Sequence, residues 1–304
     1  MDRFAAIDTF VQVVEAGSFS AVARRAGSSQ SAVSKQVAAL ESHLGVKLLS
    51  RTTRALSLTD EGRAYFETAL RIVHELAEAD SAARAGVGAV QGRLRVAAGV
   101  GFGRQVLFGI VREFMVLHPE LRVDLHVSDG FVDLVAEGLD LAVRVGELGD
   151  SSLIAQRVGT THRAVVASRA LAAALSQAQR LPTQPADLAQ HDCIVYTGLS
   201  TLNQWVFDAT DHSPAATVSV QGRLASNSSE VIREAVLAGL GLGFSPTWLF
   251  GAELANGDVV RLLPQYSPRP LPIHVVYPTS RRHVAKVSAF VGFVRERLAA
   301  LPLV

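Results

Sequence analysis

The chain has 304 residues, 49% of them hydrophobic, and 29 Lys and Arg against 28 Asp and Glu give it a formal net charge of +1. That length provides two or three domains of ordinary size, and a nearly neutral total means that any attraction to a polyanion must be local. A single cysteine, Cys193, excludes an internal disulfide framework and fits a reducing cytoplasm, while the longest apolar run, 235–244, is too short and Gly-rich for a membrane span of about 20 residues.

From the N-terminus, Phe4, Ile7, Phe10, Val11 and Val14 form a helical stripe broken by Asp2, Arg3, Asp8 and Gln12, which is not the pattern of a secretion signal. Ser18 can cap a short helix turning Phe19, Val22, Ala23 and Ala26 inward, and Gly27-Ser28-Ser29 supplies a break. In the next helix Val33, Val37, Leu40 and Leu44 make one apolar stripe, with Ser31, Ser34, Lys35 and Ser42 largely away from it. Taken alone, such a helix is an ordinary solvated one. Its coupling to the preceding short helix and a following basic hairpin makes a helix-turn-helix.

Gln30, Ser31, Ser34 and Lys35 cluster in the part of the second helix that enters a major groove. Gln can pair with an adenine edge, and Lys can reach guanine or a phosphate. Beyond Gly45, residues 46–59 alternate like a two-stranded wing whose tip carries Arg51, Thr52, Thr53 and Arg54 for phosphate or minor-groove contact. Over 21–58 the bases Arg24, Arg25, Lys35, Lys47, Arg51 and Arg54 face the single acid Glu41, a local balance of +5. The candidate DNA contacts are Ser29, Gln30, Ser31, Ser34, Lys35, Arg51 and Arg54.

Thr59 can cap a long helix with Asp60 and Glu61 at its positive end. Tyr65, Ala69, Ile72, Leu76, Ala79 and Ala83 recur at the spacing of a two-stranded seam, and Phe66, Leu70, Val73 and Ala77 form a second stripe for the helix's own domain. A homodimer is expected, which also suits an inverted-repeat site. Gly86 and Gly88 end the helix as a joint.

From Arg93 the pattern becomes alternating strands and helices: strands at Leu94–Ala98, 121–127 and 139–145, with a helix over 106–117, imply a parallel α/β sheet. A second unit begins near His162, with strands around 164–167, 194–197, 205–207 and 218–220 and a helix over 229–240. The chain returns to the first unit near Pro268, where 273–277 and a final helix through Val287, Phe290, Val291, Val294 and Leu298 complete the sheet. Two lobes joined by two crossings leave a cleft for a small ligand.

Enzyme signals are weak. Gly99, Gly101 and Gly103 follow a strand, but Arg104 stands where a dinucleotide fingerprint needs its last glycine, although the same geometry could hold a carboxylate at the helix N-terminus. His191 and Cys193 alternate along an expected strand, where a buried thiol is the ordinary reading. His74-Glu75 lacks a second His four residues on, the histidines are dispersed, and neither cofactor nor metal is expected.

The string 29–37, SQSAVSKQV, with Leu40-Glu41, 44–49, Arg51 and 58–62, LTDEG, closely resembles the winged helix-turn-helix of LysR-type transcriptional regulators. Phe102-Gly103-Arg104, His118-Pro119, 132–135, 139–148, 185–188, His191-Asp192-Cys193 and 238–241 resemble the effector-binding half of the same family, so the likeness covers nearly the whole chain. It implies a winged helix-turn-helix (1–59), a dimerising linker helix (60–88) and a periplasmic-binding-protein-like effector domain (89–304), with lobe I at about 92–161 and 268–304 and lobe II at about 162–267. It also implies Gln30, Ser31, Ser34 and Lys35 on the operator and Arg54 in the wing, with an effector held by Val100, Gly101, Phe102, Ser128, Arg144, Thr197, Ser200, Thr201, Asn227 and Thr247.

Two departures are visible: Lys35 stands where many relatives have Arg, and Gly101 where Ser or Thr often contributes a hydroxyl. The expected partners are double-stranded DNA carrying an interrupted inverted repeat, a small-molecule effector, a second copy or a tetramer, and RNA polymerase, in the cytoplasm. The alternative is an α/β solute-binding protein or enzyme with an appended helical interaction domain.

Overall fold

The computed structural model describes residues 2–51, 56–85 and 90–301, without the side chains of 51, 74, 75, 77–79 and 81–85. The chain divides into two compact units, Met1–Ala89 and Val90–Val304.

In the first unit, α1 (Arg3–Ala16) starts where the Asp2 carboxylate accepts from the N–H groups of Phe4 and Ala5, and it ends at Gly17 in a left-handed conformation. Ser18 and Ser29 cap α2 (Phe19–Arg25) and α3 (Gln30–Leu44) in the same way, each hydroxyl accepting from a first-turn N–H. Phe10, Val22, Val33, Val37, Leu40 and Leu48 close the core between these helices. Strands β1 (Leu49–Arg51) and β2 (Leu56–Leu58) pair antiparallel, Leu49 opposite Leu58.

Helix α4 (Asp60–Ala85) is locked to the hairpin through Thr59, whose hydroxyl donates to the Lys47 carbonyl at 2.6 Å and accepts from the Gly62 N–H at 2.9 Å. The two stripes read along α4 are not separate at its start. Phe10 sits between them, its ring 5.9 Å from Tyr65 and 6.2 Å from Phe66, and Ala69 is buried. Tyr65 and Ala69, expected on the outer seam, therefore pack inside their own unit, whereas Ile72 and Leu76 are 45% and 41% exposed. Gly86 and Gly88 lie outside the described residues, as do the side chains of Ala77, Ala79 and Ala83.

The first lobe of the second unit is a five-stranded sheet in the order β4 (Leu121–Val127), β3 (Gly92–Ala98), β5 (Leu141–Val145), the strand Leu271–Tyr277, and β6 (Ile154–Thr161). β3 runs parallel to β4 and β5, but Leu271–Tyr277 is antiparallel to both neighbours, so the sheet is mixed rather than all parallel. The cause is the connectivity: the chain leaves through β6 and returns beside it, in the opposite sense.

The helix expected over 106–117 starts earlier and is irregular. A turn at Val100–Phe102 passes through a π-helical turn at Gly103–Leu107 into the helix Phe108–Leu117. The final helix, Ala285–Ala300, covers the same face, with Phe290 edge-on to Phe114 at 5.1 Å.

In the second lobe β7 (Arg163–Ser168) lies between Gly243–Pro246 and Val259–Leu262, antiparallel to both. The strand Gln204–Asp208 pairs antiparallel with Ala216–Ser219 and Ser267–Pro268. Around 191–193 no regular strand forms: His191 follows the 3-10 helix Pro185–Gln190, and Cys193 makes a single bridge to Leu242. The helix read as 229–240 stops at Leu237, just before Gly239 takes a φ of 71°.

Candidate DNA-reading face and ligand cleft

The first turns of α3 gather Gln30, Ser31, Ser34 and Lys35, four residues that span less than half of the helix circumference. Gln30, Ser31 and Lys35 are exposed and Ser34 is half-buried. Ser29 is exposed, but its hydroxyl is committed to the cap and lies 3.0 Å from the Ser31 hydroxyl. The Gln30 side-chain oxygen accepts from the Ser20 hydroxyl at 3.1 Å, so α2 steadies the amide and leaves its N–H groups for an acceptor such as adenine N7. Arg51 belongs to β1, with its side chain outside the described residues, and Arg54 lies outside them altogether.

Glu41 is the residue the charge pattern missed. It reads as one acid in a basic stretch, yet it is buried, accepting from the Leu48 and Leu49 N–H groups at 3.0 and 3.1 Å and from Lys47 at 2.7 Å. Burial pushes its pKa upward, but the Lys47 bond and the two backbone donors outweigh burial and hold it below the ordinary carboxylate value. Glu41 is thus the peg that fixes the hairpin to α3, and Lys47 is engaged with it.

In the second unit a cavity of about 530 Å³ opens between the two lobes, a size suited to a small organic molecule. Of the residues expected to hold an effector, it brings together Phe102, Ser128 and Arg144. Thr197, Ser200, Thr201 and Asn227 are exposed and outside the lining, while Thr247 is buried against a separate groove. Tyr196, Leu199 and Trp248 line the cavity next to Thr197, Ser200 and Thr247. Tyr196 ends a short strand, where adjacent side chains point to opposite sides, so its neighbour Thr197 leaves the wall.

Val100 and Gly101 are also outside the lining, and their N–H groups are used within the protein. The Val100 N–H donates to Asp129 Oδ1 at 2.8 Å, and the Gly101 N–H donates to the Ser229 hydroxyl at 3.2 Å. Asp129 Oδ2 accepts from the Ser229 N–H at 3.3 Å, so one carboxylate ties the start of the first lobe's helical segment to the start of the second lobe's helix Ser229–Leu237. Arg104 reaches the same turn, its Nη2 2.8 Å from Glu230 Oε2, and Phe102 meets Trp248 edge-on at 5.5 Å.

A Cβ on Gly101 would stand 2.5 Å from the Ser229 hydroxyl oxygen, which explains the absence of a side chain there. The hydroxyl nearest position 101 is that of Ser229 in the opposite lobe, which accepts from the Gly101 N–H.

The cavity's charged groups are unevenly placed. Arg163 is 8% exposed, donates through Nε and Nη2 to the Arg269 carbonyl at 2.9 and 2.7 Å, and lies 4.2 Å over the Phe244 ring. Its pKa falls to about 10, chiefly through burial and then the nearby Arg269, with Asp208 opposing. Burial likewise lowers Arg144, against Glu137, and burial and then Asp129 raise Tyr196. Glu147 and Asp150 are exposed. Cys193 is buried away from the cavity, its thiol pushed up to about 12 by burial and Asp192, far from a thiolate nucleophile. Among the described residues no cluster of three or more His, Cys, Asp or Glu could hold a metal, and no helix is long and apolar enough to cross a membrane.

A winged helix-turn-helix in one chain with a two-lobed α/β domain and a ligand-sized cleft defines a DNA-binding regulator with an effector domain. Residues 4–63 match the bacterial regulatory helix-turn-helix of the lysR family, and residues 88–299 match the LysR substrate binding domain. The chain belongs to the LysR family of transcriptional regulators.

It is 37% identical to the transcriptional regulator PtxR of Pseudomonas aeruginosa over 96% of this chain and 92% of that protein. Solved structures agree: CrgA of Neisseria meningitidis aligns with a TM-score of 0.60 at 32% identity over 97% of this chain and 98% of that one. The full-length virulence activator AphB of Vibrio cholerae aligns at 0.58 and 26% identity over 95% and 97%.

Proposed function

We propose that the protein acts in the cytoplasm as a homodimer, or a pair of dimers, that reads an interrupted inverted repeat in promoter DNA and answers to a small molecule held between the lobes. Ser29, Gln30, Ser31, Ser34 and Lys35 are the reading residues on α3, with Arg51 and Arg54 on the backbone side in the wing. Exposed Ile72 and Leu76 contribute to the dimer seam of α4. RNA polymerase is the downstream partner, and no catalytic step is involved.

The observation that carries this reading is the exposed, hydrogen-bonding first turn of α3, steadied through Gln30 by Ser20. It is tested by gel shift with the DNA upstream of the chain's own gene, titrated with salt. Lys35→Ala is expected to weaken a specific site more than random DNA, whereas Arg54→Ala weakens both and lowers the salt slope by about one. Equal losses on every sequence would refute the division between reading and anchoring. For a ligand to matter, it must bind one arrangement of the dimer better than another, so footprints with and without a bound effector should differ.

A further inference from the structure

We propose that the cleft takes a small organic anion, one carboxylate on an apolar body, and that the Arg163 guanidinium is its counter-charge. The inference rests on the reading of the cleft as the effector site and names the class of effector. It begins from where an acid cannot go. In an open α/β cleft the obvious place for a carboxylate is a helix N-terminus. Here that place is occupied by the protein's own Asp129, whose two oxygens take the N–H groups of Val100 and Ser229, while Ser229 takes that of Gly101. An incoming acid there would meet a carboxylate in place of free donors.

Arg163 offers the opposite situation. It is a cation more than nine-tenths buried in the cavity wall, and no carboxylate lies within ion-pair distance of it among the described residues. The nearby Asp208 is engaged by Arg269 Nε at 2.8 Å. Two of the Arg163 nitrogens are held by the Arg269 carbonyl and its flat face rests on Phe244, so the guanidinium is fixed in position while Nη1 keeps its protons for an acceptor. Asp208 favours the charge on Arg163 but is shared with Arg269, so two cations answer to one carboxylate, and an anion entering the cavity offsets the excess. Phe102, Leu199, Phe244, Trp248 and Leu271 give the wall an apolar stretch that fits a hydrocarbon or aromatic body, while Arg144 is a second, half-buried cation in the same lining. Glu147 and Asp150, exposed on the lining loop, disfavour a second acidic group on the same ligand.

The test uses the full chain with benzoate, phenylacetate and hexanoate, their neutral amides, and benzylamine, all at millimolar concentration, read by thermal midpoint and by the fluorescence of Trp205 and Trp248. The acids are expected to give saturable shifts that the amides and the amine do not. Arg163→Gln should weaken acid binding by about tenfold or more, and Arg163→Lys, which keeps the charge if the glutamine variant fails to fold, should weaken it less. Equal shifts from amides or from benzylamine would overturn the anion assignment and leave the cleft as a ligand site. Acid binding undiminished in a folded Arg163→Gln would overturn the role of Arg163. No shift from any probe would overturn the anion assignment, while the reading beneath it is decided separately by the gel shifts and footprints.

Discussion

Asp140 is fully buried, and its carboxylate gathers the first and last parts of the lobe I sheet domain. It accepts from the Arg95 N–H at 2.8 Å and stands 3.2 Å from Arg281 Nε and 3.7 Å from Lys286 Nζ. Removing one member of such a cluster leaves buried cations uncompensated, so Asp140→Ala is expected to cost about 3–5 kcal/mol in urea unfolding of the full chain. Glu41 gives a pH-dependent counterpart. Because its folded pKa lies below the ordinary value, its contribution is present above the unfolded pKa and is lost as pH falls through the folded one. Glu41→Gln should therefore lower the thermal midpoint at neutral pH, and the gap to wild type should narrow as the pH is taken below the ordinary carboxylate range. Neither role was legible in sequence. A lone Asp and a lone Glu carry no period, and what they do depends on which backbone N–H groups the fold delivers to them.

Elements were more legible than sites, for a reason visible in α3 and in the cleft wall. The stripe Val33, Val37, Leu40 is local, and local periodicity reports it directly. The cleft wall is assembled from Asp129, Arg163, Tyr196, Ser229 and Trp248, residues far apart in the chain whose convergence no window of sequence contains. The π-helical turn Gly103–Leu107 is equally invisible to a 3.6-residue period, yet it lies in the segment that sends Arg104 to Glu230.

One glycine makes an element-scale test. A Cβ at Gly62 would stand 1.9 Å from the Leu48 carbonyl oxygen, a backbone atom that cannot yield without moving the wing. Gly62→Ala is expected to cost about 1–3 kcal/mol in denaturant unfolding and to weaken binding to DNA in a gel shift even though no reading residue has changed.

At the scale of the effector domain, 273–277 and the last helix pack in the first lobe because they are apolar on the faces that complete it. The antiparallel sense of the returning strand was missed, since periodicity carries no direction. That sense has a consequence for how the domain can be altered. β6 and Leu271–Tyr277 are hydrogen-bonded neighbours, with Thr161 opposite Leu271, so the chain exits and re-enters the first lobe at a single point. The second lobe is in effect spliced into what would otherwise be a β-hairpin. Replacing 162–270 by a short glycine-containing turn is expected to leave a folded five-stranded remnant, seen as a cooperative unfolding transition with retained sheet signal in circular dichroism. By the same token Arg163, Tyr196, Ser229 and Trp248 all travel on the spliced-in cassette, whereas Phe102, Ser128, Asp129 and Arg144 stay with the frame, so an exchange at this one seam of the chain would renew one wall of the cleft and keep the other.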